Sequence, residues 1–292
     1  YGLGYNVEIL EKAGIDPASL TTFTAMKDAF EKLDGMKEEL GLDAVISTGT
    51  SVSGQLWWVM GNHNWNVYLS SGLDYDDDSI KEKTLAGEVD EERLADYANY
   101  VKLIFDYSDH DVLTNGNYDA QVAAFASQKT AFIHQGNWID PNMIQLEATF
   151  KMGYIPHAFT DKQEITGLHL AAPSWYCLNK DASEKEQEAA IEFLNYMATS
   201  DEGAKYMVEE AGMVPAFKSV TLKPAGQFSA ALVDANAKGG NYNWYFGNMP
   251  DGFSQNTLGP IFDLFAQDPS DVNVLIQDLT DAISQIPSLV NQ

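Results

Sequence analysis

The chain has 292 residues, of which 45% are hydrophobic and 21% are charged, a balance that supports a large apolar core in one large or two medium domains. Its 43 acidic and 17 basic residues give a formal net charge of −26 at pH 7, which repels nucleic acids and anionic membrane surfaces and excludes both as expected partners. A single cysteine rules out an internal disulfide, and no stretch is long and apolar enough for a transmembrane helix.

Helices and short strands alternate along the first 125 residues. Residues 7–13 are a predicted helix closed by Gly14, and an apolar stripe at helical spacing predicts another helix over residues 26–40. Residues 44–48 form a predicted strand, followed by a loop rich in Ser, Thr and Gly. Residues 91–107 carry apolar side chains on one face, which predicts an amphipathic helix.

The stretch around Trp138 is the most informative one. Residues 130–133 are a short β-rich run, and Trp138 lies between a Gln-Gly-Asn turn and an Asp-Pro pair that starts a helix. Gln135, Asn137 and Trp138 are therefore expected on the loop after a strand, where α/β folds place ligand contacts. The alternative is that Trp138 anchors the core.

A further strand is predicted at residues 152–155, and it is expected to run parallel to the two earlier ones. Residues 168–178 are then predicted to cross between two parts of the fold. Cys177 lies in a strand-like run of this segment and is expected to be a buried small apolar residue.

The last third of the chain is predicted to be mainly helical. Ser183 and Glu186 have the spacing of a capping box, and the helix that follows is expected to bury apolar residues between positions 189 and 197. Further helices are predicted at residues 228–236, 258–266 and 272–286, with Pro287 ending the last of them.

Other tryptophans lie beside amide side chains and are candidate sugar contacts. Trp57 and Trp58 are adjacent on a predicted helix and point about 100° apart, so at least one is expected in the core. Trp244 and Tyr245 belong to the run Asn-Tyr-Asn-Trp-Tyr-Phe, a combination that suits sugar rings and equally suits an aromatic patch closing the core.

Motifs for catalysis, cofactors and metals are absent from the sequence. The five histidines show no zinc spacing, and there is no phosphate-binding glycine loop or nucleophile elbow. The acidic run at residues 74–78 lacks the glycine and glutamate of an EF-hand and is expected to be a solvated loop. We therefore expect no catalytic residue, no metal site and no cofactor.

Several of these segments resemble one family, the sugar-binding proteins of ABC importers, the class of maltose-binding protein. In that family a helix ending near F-x-x-G-x-A-A-M precedes a short strand and G-x-W. This chain has F-A-S-Q-K-T-A-F at residues 125–132 and G-N-W at residues 136–138. The family pair T-S-x-E-x-(G/A) and G-x-(L/V)-P is matched by residues 199–203 and 212–215.

The resemblance implies an α/β fold of the periplasmic-binding-protein type II, with two lobes joined by a hinge. It implies a non-catalytic receptor that captures a sugar or oligosaccharide between the lobes and delivers it to the permease of an ABC transporter. Such proteins are monomers, outside the cell, lipid-anchored or periplasmic. The ligand-binding residues expected on this basis are Trp138, Asn137, Gln135, Trp175, Ser174, Trp244, Tyr245 and Trp57.

The first residues resemble the Y-G-L-P-Y-N segment that crosses from the first lobe into the second in this family, with Gly4 in place of the proline. On this basis residues 1–166 and 230–292 are expected to form the second lobe, and residues 167–229 a portion of the first. An amino-terminal portion of roughly a hundred residues or more is then expected to be missing, so that the first lobe is incomplete and residues 1–5 lack upstream partner strands.

Two alternatives remain open. Aromatic residues and acids also line the clefts of secreted carbohydrate-active enzymes, although no acid here lies in a recognisable catalytic motif. A binding protein of the same fold could also take a peptide, a polyamine or a metal ion, and the abundance of aromatic residues favours a sugar over a metal.

Overall fold

The computed structural model describes residues 1–171 and 175–290, and its strands build one mixed sheet. The strands are β1 (Gly2–Asn6), β2 (Ile46–Ser47), β3 (Phe132–Gln135) and β4 (Met152–Ile155). Their order is β2-β3-β1-β4, with β2 parallel to β3 and β1 antiparallel to both β3 and β4. The three strands predicted to be parallel therefore run in one direction, and β1 is inserted between β3 and β4 in the opposite one.

The first strand is a central strand of the sheet and has a partner on each side, both from later parts of the chain. Leu3 pairs with His134 of β3 on one side and with Ile155 of β4 on the other. Gly4 makes this central position possible, because a Cβ there would lie 2.8 Å from Cγ2 of Ile133 and 2.9 Å from the ring of Phe228. A proline at this position would also lack the backbone N–H donor of a strand that is paired on both sides.

Helices surround the sheet on both faces. Their bounds are α1 (Val7–Ala13), α2 (Phe23–Gly35), α3 (Lys37–Leu40), α4 (Trp65–Ser70), α5 (Ser79–Leu85), α6 (Glu91–Asp106), α7 (His110–Asn115), α8 (Tyr118–Ala126), α9 (Asp140–Gln145), α10 (Glu184–Thr199), α11 (Asp201–Lys205), α12 (Gln227–Lys238), α13 (Gly259–Gln267) and α14 (Val272–Val290). Short 3-10 helices lie at Pro17–Ser19, Asn137–Ile139 and Phe246–Asn248, and π-helices at Val59–Asn64, Tyr206–Glu210 and Ser254–Leu258.

Two apolar cores lie on opposite faces of the sheet. Because successive strand residues point to opposite faces, Phe132 joins the larger core and its neighbour Ile133 joins the smaller one. The larger core is built mainly from α2, α4, α6, α13 and α14, and the smaller one from α8, α9 and α12. Together they fix the sheet edge at which β3 ends.

Residues 175–226 differ from the rest of the chain. The capping box predicted at Ser183 and Glu186 is present, but α10 has no buried residue. Of the apolar side chains expected to be buried there, Ile191 is exposed to 48% and Phe193 to 59%, while Leu194 and Met197 are only half-buried. Cys177 is exposed as well, because residues 175–178 form no strand and nothing in the described chain covers them. Both expectations of burial were wrong for the same reason. The apolar residues are present in the sequence, but no other helix or strand of the described chain buries them.

Two further findings concern the helices. Pro287 does not end α14, which continues through it to Val290. Within residues 1–171 and 175–290, no helix combines the length and apolar character needed to cross a membrane.

Candidate ligand-binding surface

The loop after β3 holds Trp138 in a fixed position. Its ring lies directly over Gly136, where a Cβ atom would come within 2.0 Å of the indole, so any larger residue would displace the ring. The indole Nε1 donates a hydrogen bond of 2.8 Å to Oε1 of Gln135, and the buried Gln135 in turn donates from Nε2 to Oε1 of Gln121 at 2.8 Å. The Gly-x-Trp spacing noted in the sequence therefore has a steric cause.

Trp138 belongs to a group of half-buried rings that we call the aromatic cluster. It consists of Trp58, His63, Trp138, Trp244 and Phe246. His63 is at its centre, with its ring centroid 4.7 Å from that of Trp138, 4.9 Å from that of Trp244 and 5.1 Å from that of Trp58. Trp138 and Trp244 are 6.4 Å apart at an interplanar angle of 80°. Two indole faces are thus presented almost at right angles beside one imidazole.

Different parts of the chain supply the cluster. Trp58 precedes the π-helix Val59–Asn64 and His63 lies within it, while Trp138 is in the 3-10 helix after β3. On the opposite side, the backbone N–H of Trp244 donates to Oδ1 of Asn243, and that of Phe246 donates to Oδ1 of the buried Asn66. Amide side chains therefore hold the loop that carries the last two rings.

A buried layer of polar rings lies beneath the aromatic cluster. Tyr1 contacts His134, His157 and His169, and its hydroxyl is hydrogen-bonded to Nε2 of His134. His134 Nδ1 also pairs with the hydroxyl of Thr48 at 3.1 Å. The stack of Tyr1 on Trp138, with centroids 6.3 Å apart, joins this layer to the cluster above it.

The imidazoles of both layers are neutral. Burial lowers the pKa of His63, His134 and His169 to about 3, because a charged imidazolium would lose its hydration there. Burial likewise lowers the pKa of His157 well below its usual value. At neutral pH each ring therefore offers one donor and one acceptor without a charge.

Some of these polar atoms have no protein partner. Within the described part of the chain, Nδ1 of His63 and Nε1 of Trp244 are buried and form no hydrogen bond. Since buried polar groups in proteins are nearly always paired, each of these two atoms lacks a partner that an ordered water or a ligand would supply. Both belong to the aromatic cluster, so stacking faces and hydrogen-bonding atoms occur together.

The structure distributes the residues predicted from sequence over several places. It brings Gln135, Trp138 and Trp244 together. Asn137 is next to them, and its Nδ2 donates to the hydroxyl of Ser229 at 3.0 Å. Tyr245 is buried in the larger core, with its hydroxyl directed to the carbonyl of Tyr75.

Two further predicted residues, Trp175 and Trp57, do not belong to the cluster. Trp175 is 79% exposed and makes no ring contact with the cluster residues. Ser174 lies outside the described residues. Trp57 lines a separate surface cavity, and its neighbour Trp58 is the tryptophan that contacts Trp138 at 6.2 Å. Neither Trp57 nor Trp58 belongs to one of the two apolar cores, so the expectation that at least one of them lies in the core was wrong.

Two members of the aromatic cluster, His63 and Phe246, were missed from the sequence, and of the adjacent pair Trp57 and Trp58 only Trp57 was expected among the ligand-binding residues. The run Gly-Asn-His-Asn-Trp around His63 has no recognisable periodicity, because the chain there forms a π-helix. Such π-helical turns are frequent at functional sites, but they leave little sequence signal. Phe246 follows Trp244 closely and could have been included on that ground.

Carboxylates and metal-binding clusters are not features of this surface. Across residues 1–171 and 175–290, no carboxylate forms a hydrogen bond with a side chain of the aromatic cluster, and no three His, Cys, Asp or Glu side chains are placed to hold a metal ion. The nearby Asp140 has a structural role. Its two carboxylate oxygens accept hydrogen bonds from the backbone N–H groups of Phe228 and Ser229 at the start of α12.

Comparisons with known proteins agree with this architecture. The chain is similar to the binding protein MsmE of Bacillus subtilis in an open conformation, with a TM-score of 0.73, 18% identity, and coverage of 100% of this chain and 71% of that one. It is similar to a sugar transporter of Bacillus licheniformis solved with stachyose, with a TM-score of 0.69, 15% identity, and coverage of 98% and 71%. It is also similar to RafE of Streptococcus pneumoniae, with a TM-score of 0.65, 14% identity, and coverage of 98% and 70%.

At these identities the structural likenesses establish the fold, the two-lobed substrate-binding type that the sequence resemblance implied. A search against curated proteins gave no match. The family model described as bacterial extracellular solute-binding protein matches residues 1–235, most of the chain. The chain therefore belongs to the bacterial extracellular solute-binding proteins.

Proposed function

We propose that this protein is the non-catalytic, sugar-binding component of an ABC importer, which captures a neutral sugar or oligosaccharide and delivers it to the membrane permease. The observation that carries the proposal is the pair of half-buried indoles of Trp138 and Trp244, 6.4 Å apart, with His63 between them. Sugar rings stack their C–H faces on such indoles.

The polar atoms of the site suit an uncharged ligand. Nδ1 of His63 and Nε1 of Trp244 have no protein partner in the described chain, and the amide of Gln135 lies directly beneath Trp138. The Gln135 amide is already bonded to Trp138 and Gln121, so the atoms of His63 and Trp244 are the ones that can bond a hydroxyl, and none of these groups carries a charge at neutral pH. An anionic or cationic solute would find no opposite charge among the cluster residues, so a neutral sugar is favoured over a polyamine or a metal ion.

Known relatives support the same class of ligand. RafE was solved in complex with raffinose, and the Bacillus licheniformis protein with stachyose. Both are neutral oligosaccharides, and both proteins share the fold of this chain.

We propose that the site is one wall of a cleft between two lobes. Residues 175–226 would belong to the other lobe, which fits the exposure of Trp175, Tyr176 and the apolar residues of α10. We propose a shorter segment than the expected 167–229. The backbone N–H of His169 donates to the carbonyl oxygen of Tyr1, and Phe228 packs against β4, so both residues belong with the described sheet. Ligand contact with both lobes would then shift the population of open and closed forms, and the permease would recognise the closed form.

The enzyme alternative gains no support from a specific feature. Glycoside hydrolysis uses a pair of carboxyl groups beside the bound sugar, and the buried Asp140 is held by backbone N–H groups as a helix cap. A surface made of indoles, neutral imidazoles and amides fits a receptor that binds its ligand and releases it unchanged.

Calorimetry on the full natural protein tests the proposal. The probes are a panel of neutral mono- to tetrasaccharides that includes raffinose and stachyose. We expect saturable binding of at least one of them, at least several-fold weaker in Trp138→Ala, because the lost ring face is worth about 0.5–1.5 kcal/mol beyond its buried area.

A matched control is Ile144→Ala on α9, which removes an exposed apolar side chain close to Trp138 in the chain and should bind as the parent does. Absence of binding across the whole panel would overturn the proposal, and so would equal loss in both variants.

A further inference from the structure

A buried glutamine on α8 lies behind the loop that carries Trp138 and is not itself part of the aromatic cluster. Gln121 neighbours Val122 of the smaller core in the sequence, and its side chain is wholly buried. Glutamine is mostly an exposed residue, because burying an amide without hydrogen-bond partners costs free energy. The partners of Gln121 therefore indicate what this side chain does.

The amide of Gln121 uses both of its ends. Nε2 donates to the backbone carbonyl oxygens of His134, at 3.2 Å, and of Ser47, at 3.4 Å. Oε1 accepts from Nε2 of Gln135 at 2.8 Å, and Oε1 of Gln135 accepts from Nε1 of Trp138 at 2.8 Å. The amides of Gln121 and Gln135, which we call the amide relay, thus join carbonyl groups of β2 and β3 to the indole N–H.

The amide relay has only one arrangement in which every group is paired. A backbone carbonyl only accepts a hydrogen bond and an indole N–H only donates one, whereas an amide has one end of each kind. If the Gln121 amide were turned over, its oxygen would face the two carbonyl oxygens. If the Gln135 amide were turned over, its NH2 group would face the indole N–H of Trp138. The carbonyl groups therefore orient Gln121, which orients Gln135, which orients the indole.

The relay and the loop hold opposite edges of the Trp138 indole. The six-membered ring lies over Gly136, where a Cβ would be 2.0 Å from Cζ3 and 2.3 Å from Cη2, and the N–H of the five-membered ring is bonded to Gln135. The ring is thereby fixed relative to His63 and Trp244, whose centroids are 4.7 and 6.4 Å away. Because its N–H is already bonded, Trp138 offers a ligand a ring face and no hydrogen bond.

From these contacts we propose that Gln121 is a positioning residue for ligand binding. Acting through Gln135, it sets the orientation of the Trp138 indole on which a sugar ring stacks, although its own side chain is buried away from any ligand. The inference rests on the proposed function, which gives Trp138 its role, and adds the residue that orients this ring before the ligand arrives. A ring that is already oriented loses less freedom on binding, which favours affinity.

Two substitutions of Gln121 separate positioning from packing. Gln121→Met keeps the length of the side chain but removes both ends of the amide, so that Gln135 is no longer held in one orientation. Gln121→Glu keeps an oxygen that accepts from Gln135, and burial keeps the introduced carboxyl group neutral, with its hydroxyl available to a carbonyl oxygen.

Calorimetry of the full natural protein with the neutral saccharide panel, raffinose and stachyose included, measures the effect per folded molecule. Gln121→Met should weaken binding about three-fold or more, and Gln121→Glu less than about two-fold. In NMR spectra the indole N–H of Trp138 should exchange with solvent faster in Gln121→Met than in the parent. If Gln121→Met does not fold, Gln135→Met breaks the relay one link nearer to the ring and should give the same loss of affinity.

Ser47→Ala is the matched control for packing. The hydroxyl of the buried Ser47 donates to the backbone carbonyl oxygen of Gln121 at 2.7 Å, so its removal weakens the same contact between β2 and α8 but leaves the amide relay intact. It should lower the melting temperature without changing sugar affinity. In a Trp138→Ala background, Gln121→Met should add less than about two-fold to the loss, because an effect transmitted through a ring disappears with that ring.

Unchanged affinity in the methionine variant would overturn this inference. An equal loss in Gln121→Glu or Ser47→Ala would overturn it too, as would a full further loss in the Trp138→Ala background. Each of these results would leave the proposed function standing, whereas failure of the parent protein to bind any saccharide of the panel would refute the proposed function itself.

Discussion

Helices α6 and α10 have the same length of 16 residues, begin with well-formed caps and were both predicted from the sequence, yet their surroundings are opposite. In α6, half of the residues are buried: Leu94, Tyr97, Ala98, Tyr100, Val101, Leu103, Ile104 and Phe105. In α10 none is buried. An apolar face therefore shows only that another element could pack against the helix. Whether an element does pack there depends on the tertiary structure.

The difference follows from what each helix packs against. Helix α6 lies against α4 and α14 and contributes to the larger core, whereas α10 packs on the short helix α11 that follows it. The same contrast applies to single residues, because Trp65 is wholly buried and Trp138 is half-exposed over Gly136. Predictions that perturb one region and spare the other test this contrast.

We expect the largest effect from acid, which should lower the free energy of unfolding of the region that contains the buried histidines and leave residues 175–226 almost unaffected. The buried histidines have folded-state pKa values lowered to about 3 for His63, His134 and His169, below the value of about 6.5 for an unfolded chain. Between these values the unfolded chain binds protons that the folded chain does not, so stability falls as pH falls from 6.5 towards 3. Each such histidine contributes up to about 1.4 kcal/mol per pH unit.

Urea unfolding at pH 7, 6 and 5 measures this loss, and His63→Gln should show a smaller loss per pH unit because one titrating group is gone. Residues 175–226 contain no histidine, so hydrogen exchange in α10, corrected for the intrinsic pH dependence, should change little before global unfolding. A stability that is flat from pH 7 to 5 would contradict the neutral, buried state of these rings.

Two tryptophan substitutions compare a covered ring with an open one. Trp65→Ala should lower the free energy of unfolding by about 3–5 kcal/mol, because the ring is enclosed in the larger core. Trp138→Ala should cost much less stability and should act mainly on sugar affinity. Melting temperature and calorimetry on both variants separate these effects. A Trp138→Ala protein that is strongly destabilised but binds normally per folded molecule would remove Trp138 from the site.

A matched isoleucine pair tests the two helices directly. Ile104→Ala in α6 removes a wholly buried side chain and should cost about 2–5 kcal/mol. Ile191→Ala in α10 removes one that is 48% exposed and should change the free energy of unfolding by less than about 0.5 kcal/mol. Both are measured by urea unfolding of this chain. Equal costs would mean that the face of α10 is covered in solution.

The caps should give the smallest effect. Asp90 caps α6 by accepting the N–H of Arg93, and Ser183 caps α10 in a capping box with Glu186. Asp90→Ala should lower the global free energy of unfolding by about 1 kcal/mol. Ser183→Ala should instead weaken hydrogen-exchange protection within α10 and leave the global transition in place. A shift of the global transition by Ser183→Ala would show that α10 folds as one unit with the core.

Local signals could be predicted because they depend on neighbouring residues. Gly14 ends α1 in a left-handed conformation with φ 62°, the capping box at Ser183 is formed, and β4 has the predicted bounds. The Gly-x-Trp spacing at Trp138 also pointed to a fixed ring, which the close approach of Gly136 explains. Each of these features is set within a few residues of chain.

Tertiary contacts decided the rest, since they join residues far apart in the sequence. The sequence itself determined the α/β pattern, the end of α1 at Gly14 and the presence of a half-buried tryptophan after β3. Only the folded chain could place Trp58 rather than Trp57 against Trp138, bring His63 between Trp138 and Trp244, and insert β1 as a partner of both β3 and β4. The physical reason is that periodicity specifies which side of an element is apolar, whereas burial depends on which distant element packs against that side.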